Sequence, residues 1–447
     1  MSIFYPENVK TFLEKDRIVL SLFILGSVFF EGSLEYRTVG VLMIFVFCSM
    51  FWGTDEHKKW KMSDHPKELI AFTLWILWAF VTMPLVSTHY RLIYLRVQTM
   101  TQVLVMSWIF YGMLRMKLTP RFVFFCVLCT AVVMGVMSLF GALNMVDDSI
   151  VGGPDLSEVR IVGFARTTNS NKLGMLMVRG VLCALFFWRT PENHTRFTRK
   201  ILILSLVAVA SYIVVISGSR KSSLYLIVAL GGWFVWALPK SRGVLKLFSA
   251  LFMLGIAGLV LSVFLPTVLE DTVLGKRWTS LIESGDGTIT GTLENDARIH
   301  FFRMGVALWK ENPIAGVGLG HFLLYNPTGQ VSHSDYIESL TGTGIVGFVL
   351  YQSAKVFLLF RLLRLKSAVL HPYDQYVVKI MILMWLNVVL TGVGFHLYTD
   401  YQFIILLTTL STYSWMWEKR LRSDVNSFRG VPFYPGSPPS MRVGNSI

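Results

Sequence analysis

The residues best suited to chemistry lie in Ser332-His333-Ser334-Asp335-Tyr336, where a long hydrophilic stretch gives way to an apolar one. Imidazole takes up a proton near neutral pH, and a neighbouring carboxylate or phenol can orient it or hold a hydroxyl substrate. Ser332 followed three residues later by Asp335 reads as a helix N-terminus. That places His333 in the first helical turn, at the positive end of the helix dipole, where the neutral base is favoured over imidazolium. The same pattern suits a rim histidine capping a membrane helix, and spacing alone leaves both readings open.

A second set of candidates is cationic. Arg220 and Lys221 sit in the tight turn Ser217-Gly218-Ser219-Arg220-Lys221-Ser222-Ser223 between two apolar runs. Its short side chains let a large anion approach the Arg220 guanidinium and the backbone amides. For Lys221, a snorkelling anchor at the membrane interface is the simpler reading. Arg298 and Arg303 belong to a segment whose Phe301, Met304 and Leu308 have amphipathic helical spacing, ended by Asn312-Pro313. Both could equally be solvated. Lys172 stands at the end of an apolar run and Arg179 lies inside it, where a charge costs about 3 kcal/mol and normally faces a polar cavity. Asn387, also inside an apolar run, suits helix–helix bonding.

The elements that must position these residues follow from composition. The chain of 447 residues is 53% hydrophobic and 15% charged, with a mean hydropathy of +0.56. Soluble domains carry about 25% charged residues, so repeated apolar runs of membrane-spanning length predict an all-α polytopic membrane protein. Twelve spans are expected, near 18–33, 38–53, 68–87, 98–114, 122–144, 172–188, 201–217, 222–238, 244–266, 340–360, 377–395 and 401–417. Lys and Arg concentrate in alternate connections, which places both termini in the cytoplasm. Residues 1–417 then form the membrane domain, with one large outside loop at 267–339 between the ninth and tenth spans. Residues 418–447 read as a basic, disordered cytoplasmic tail. The net charge of +14 is mostly topology, which removes nucleic acid as a partner. Cys126 and Cys129 form a CxxC with no second pair, so they read as membrane packing.

With this topology His333, Arg220, Lys221, Arg298, Arg303 and Lys172 all reach the outside face. A polyprenyl diphosphate donor fits such a set. Arginines bind its diphosphate, spans hold its lipid, and a neutral histidine activates an acceptor hydroxyl. No Asp-x-Asp occurs, which removes the usual metal signature of nucleotide-sugar transferases, and no GxxxxGK[ST] points to ATP.

The segment resembles the bacterial O-antigen ligase and O-antigen polymerase family. Its ligases carry a His, a small residue, nine residues and GxxG, matched here by His333-Ser334, residues 335–343 and Gly344-Ile345-Val346-Gly347. Arg298 through Asn312-Pro313-Ile314-Ala315-Gly316-Val317-Gly318-Leu319-Gly320 resembles the family's preceding loop, and Ser219-Arg220 the Ser-Arg that opens one of its spans. The resemblance implies a GT-C-type membrane glycosyltransferase of the bacterial inner membrane, without metal or cofactor. It would move a glycan from undecaprenyl diphosphate to a sugar hydroxyl of lipid A–core in the periplasm. His333 would be the base, with Arg220 and Arg298 holding the diphosphate. Lys221, Arg303, Asp335, Tyr336, Lys172 and Arg179 are further candidates for substrate contacts or for orienting His333. A polymerase joining lipid-linked repeat units is the nearest alternative. A lipid-linked glycan transporter is another class, which would place its important charges near the midplane of broken helices.

Overall fold

The computed structural model describes residues 65–87, 89–116, 120–144, 170–189, 197–217, 219–237 and 297–429. Among the described residues the regular structure is helical throughout. The helices are α1 (Lys67–Val86), α2 (Tyr90–Met116), α3 (Pro120–Asn144), α4 (Ser170–Phe186), α5 (Phe197–Ile216) and α6 (Arg220–Ala237). After them come α7 (Ala297–Glu311), α8 (Phe322–Tyr325), α9 (Asp335–Ala368), α10 (Pro372–Gly394) and α11 (Tyr401–Arg429). Each expected span between 68–87 and 222–238, and each from 340–360 onward, falls on a helix. Those at 18–33, 38–53 and 244–266 lie outside the described residues, as do 145–169, 267–296 and everything beyond 429.

Five of these helices are long and apolar enough to cross a membrane: α1, α3 over Pro120–Leu139, α5, α9 and α10. Apolar side chains such as Leu85, Leu202, Ile227 and Phe360 remain exposed on their outer faces, as lipid contact requires. This is a polytopic helical membrane protein. Inside it, α9 packs most extensively on α1, while α4 is enclosed by α3, α5, α6 and α10. Residues 418–429, expected to begin a disordered tail, instead continue α11. Glu418 holds that extension, bonding Arg422 one turn on at 2.8 Å and pairing with Arg361 of α9 at 3.2 Å.

The helix carrying the first candidate is not straight. Over the 20 residues from Asp335 to Lys355 an unbroken helix would rise about 30 Å, yet their side chains meet at 2.5 Å. The chain therefore reverses, and it does so at Gly344, where φ is 64° and ψ is −171°. Residues 335–343 form a half-helix folded back along the long arm, which the Gln352 to Ser339 bond also shows. The GxxG spacing would put Gly344 and Gly347 on one face of a continuous helix. Gly344 is the hinge instead, and Gly347 lets Thr343 and Trp78 of α1 approach closely.

Such a break frees backbone groups that must be paired away from water. The Thr341 and Gly342 carbonyls accept from Val317 and Gly318 N–H at 2.8 and 3.1 Å. The Thr343 carbonyl accepts from the Trp78 indole at 2.9 Å, and Ile345 N–H donates to Pro313 O at 2.8 Å. The turn after α7 is thus wedged into the break. Its own anchor is a small core of Phe301, Leu308, Phe322 and Ile337.

Gly344→Ala should destroy this reversal, because the added methyl meets the Ile314 carbonyl and neighbouring backbone, which cannot rotate away. Gly329 also has a positive φ of 63° but faces open space, so Gly329→Ala should cost about 1–2 kcal/mol. Melting curves of the detergent-solubilised protein compare the two. Equal losses would refute the hinge.

Candidate functional site

His333 does not lie in the first turn of α9, as its sequence pattern suggested. The helix begins two residues later and its cap is Ser334, whose hydroxyl accepts from Ile337 N–H at 3.5 Å. Ser332 serves differently: its hydroxyl donates to the buried Glu338 carboxylate at 2.8 Å. His333 between them is half-buried and has φ 53°, the one non-glycine residue with positive φ among the described residues. Left-handed backbone at a non-glycine residue costs roughly 1–2 kcal/mol and persists where surrounding bonds impose it. Here the serines on either side impose it, one tied to Glu338 and the other to the start of the helix. The Tyr398 hydroxyl donates to the other Glu338 oxygen at 3.4 Å. The imidazole stands with its centroid 6.4 Å from the Phe301 ring.

The neighbouring candidates face inward. Asp335 is fully buried, with one oxygen accepting from Tyr351 OH at 2.9 Å and Leu397 N–H at 2.8 Å. Its other oxygen pairs with Lys355, whose ammonium lies 4.3 Å from the Tyr351 ring centroid and 5.1 Å from that of Tyr336. Tyr336 donates its hydroxyl to Val389 O of α10 at 2.9 Å. These two residues anchor the half-helix and position its start.

Lys172 and Lys221 meet at the turn between α10 and α11. Lys221 donates to Gly394 O, and the Lys172 ammonium lies 5.6 Å over the Phe395 ring. Ser219 bonds Asn171 at 2.9 Å and Ser222 at 2.8 Å, locking the starts of α4 and α6 together. Arg220 is the first residue of α6 and Arg298 the second of α7, while their side chains lie outside the described residues. Arg303 is exposed on α7. Arg179 is buried and committed, pairing with Asp400 at 3.1 Å and donating to Gln402 at 2.7 Å. Asp400 in turn accepts from the N–H groups of Gln402 and Phe403, so Arg179 fixes the start of α11.

Several residues at this end carried no signal in the sequence: Arg96 of α2, His321 in the glycine-rich turn, Glu338, His396 and Tyr398. Burial holds His396 down to about 3, aided by Arg96, Lys172 and His333 and opposed by Asp400. Burial also lowers His321, with Arg96 adding to the effect. The site is thus an island of cations and neutral imidazoles around the 316–321 turn, His333 and the 394–400 turn. Such an arrangement can hold an anion and accept a proton. Among the described residues no group of three or more His, Cys, Asp or Glu could hold a metal ion.

A multi-pass helical membrane protein with a cationic, histidine-bearing site at one end is the class that fold and site define. A family model described as O-antigen ligase matches residues 204–352, which supports the resemblance read from the sequence. The matched region runs from α5 through α6 and α7 to the long arm of α9, and contains Arg220, Arg298 and His333. Curated protein sequences give no match. A solved structure titled as a peptidoglycan synthase complex that coordinates polymerization and crosslinking aligns at 15% identity. It covers 79% of this chain and 97% of that chain with a TM-score of 0.41, a likeness too weak to argue from.

Asp335→Asn or Lys355→Met alone should each cost about 3–5 kcal/mol, because the surviving charge stays buried without its partner. The double variant should cost less than the sum of the two. A double-mutant cycle on thermal melts measures this coupling, and additive losses would mean that the pair contributes nothing to the hairpin.

Proposed function

We propose that this protein is a ligase-type glycosyltransferase of the bacterial inner membrane, taking a glycan from undecaprenyl diphosphate and transferring it to a sugar hydroxyl of lipid A–core. The observation that carries the reading is His333 in strained left-handed backbone, clamped by Ser332, Ser334 and Glu338, inside the matched family region. A strained polar residue beside a cluster of cations suits a positioned base. In the proposed step the acceptor oxygen attacks the anomeric carbon and its proton passes to His333. The bond from that carbon to the diphosphate oxygen breaks, and undecaprenyl diphosphate leaves with the bonding electrons. Arg220 and Arg298 stabilise the charge gathering on it, in place of a metal. In this reading the chain has twelve spans with both termini cytoplasmic, and His333 faces the periplasm, where both lipid substrates would meet it.

Purified protein in lipid nanodiscs should join a lipid-linked glycan to lipid A–core with a chelator present. His333→Ala should lower turnover by about 100-fold or more, the usual range for removing a general base, while the melting temperature holds. Full activity of that variant would remove His333 from the chemistry. Arg220→Lys keeps charge and loses the bidentate fork, so it should weaken donor binding. In a deletion strain, lipid-linked polymer accumulating with bare lipid A–core marks a ligase. Single repeat units still joined to core mark the polymerase instead.

A further inference from the structure

Arg96 of α2 carries a sealed nitrogen that nothing accepts from. Its Nε is sealed from solvent without an acceptor, while the Glu338 carboxylate lies within electrostatic reach of the guanidinium. Arg96 is half-buried, and a sealed donor nitrogen is costly until an acceptor completes it. The guanidinium is pressed against the backbone of Gly320, where φ is 74° and any side chain would overlap Arg96 itself. The chain has therefore left room for the arginine at the tip of the turn wedged into the α9 break.

Two imidazoles beside it are also incomplete. His321 is 1% exposed and its Nδ1 lies 3.2 Å from Leu319 O, which leaves the opposite ring nitrogen, Nε2, buried with no partner. His396 has a buried Nδ1 without a partner. Three orphaned nitrogens from α2, the 316–321 turn and the 394–400 turn therefore gather where positive charge is in excess. Glu338 and Asp400 are the nearby carboxylates: Glu338 accepts from Ser332 and Tyr398 and faces Arg96, and Asp400 is paired with Arg179.

We infer that Arg96, His321 and His396 form a phosphate-binding subsite, in which a phosphate oxyanion of one of the lipid substrates fills the three vacant positions. Guanidinium supplies the fixed charge. Each imidazole becomes a second donor once protonated, so binding takes up protons. The charges facing His321 are Arg96 and His89, and those facing His396 are Arg96, Lys172, His333 and Asp400. All except Asp400 oppose protonation until an anion arrives. Affinity should accordingly rise as pH falls from 8 to 6. The subsite rests on the glycosyl-transfer reading above, and its phosphate could belong to the donor diphosphate or to a phosphorylated acceptor.

The test uses full-length protein in nanodiscs, titrated separately with undecaprenyl diphosphate and with lipid A bearing its two phosphates. Arg96→Gln should weaken binding at least tenfold, Arg96→Lys less, and the exposed Arg422→Gln should leave it unchanged. Without ligand, Arg96→Gln should melt close to the wild-type temperature, since the sealed Nε has no acceptor to lose; a merely structural arginine would melt well below it. Loss confined to undecaprenyl diphosphate assigns the donor, and loss confined to lipid A assigns the acceptor. Wild-type affinity of Arg96→Gln for both lipids overturns the subsite and leaves the proposed reaction standing. Failure of the wild-type protein to bind either lipid overturns both.

Discussion

A helix that turns back on itself within a membrane protein must find partners for the amides and carbonyls released at the turn, because lipid offers none. The break in α9 meets that demand with groups from two other elements: the 313–318 turn supplies amides and a carbonyl, and α1 supplies the Trp78 indole. Once those bonds form, the half-helix has one place to go. Its nine residues rise about 13 Å and carry His333 from the hinge back to the level of the 394–400 turn, where Leu397 N–H closes on Asp335. The interval between His333 and Gly344 is therefore a length. It sets how far from the hinge the imidazole stands.

Charge is distributed unequally between the ends of the bundle. At the end marked by the start of α1, Arg361 lies between Glu68 at 3.1 Å and Glu418 at 3.2 Å, a cation with two carboxylates to neutralise it. At the His333 end the balance reverses, and the carboxylates present are spent on helix starts and on the clamp around His333. Buried ion pairs of the first kind hold helices in register. Donor nitrogens left without acceptors, as on Arg96 and His321, make sense at a place that an anion visits.

Much of the helical framework could be read from hydropathy, because apolar runs of membrane length leave the chain few options. The family resemblance was legible too, in the spacing from His333 to Gly344 and Gly347. The reversal was not. Gly342-Thr343-Gly344 looks like a small-residue helix seam, and nothing local distinguishes a packing glycine from a hinge until Pro313 and Val317, distant in sequence, bond across it. Arg96 was hidden for a related reason: at the edge of an apolar run it resembles an interface anchor. Its meaning comes from Gly320 and His321, more than 200 residues away.

Arg179 shows how pairing bears on the choice between enzyme and transporter. An intramembrane arginine is compatible with transport, since transporters keep substrate charges at the midplane between discontinuous elements. Here its two terminal nitrogens bond Gln402 and Asp400, and its effect is to fix the cap of α11. Lys355, the other buried cation near the break, is likewise closed by Asp335 and three aromatic rings. Opening either pair for a travelling substrate would strand a charge at a cost of several kcal/mol. The charges still available lie at one end, around a turn locked into the scaffold by backbone bonds. A rigid, one-sided anion site beside a strained histidine suits transfer between two lipid-borne substrates better than alternating access.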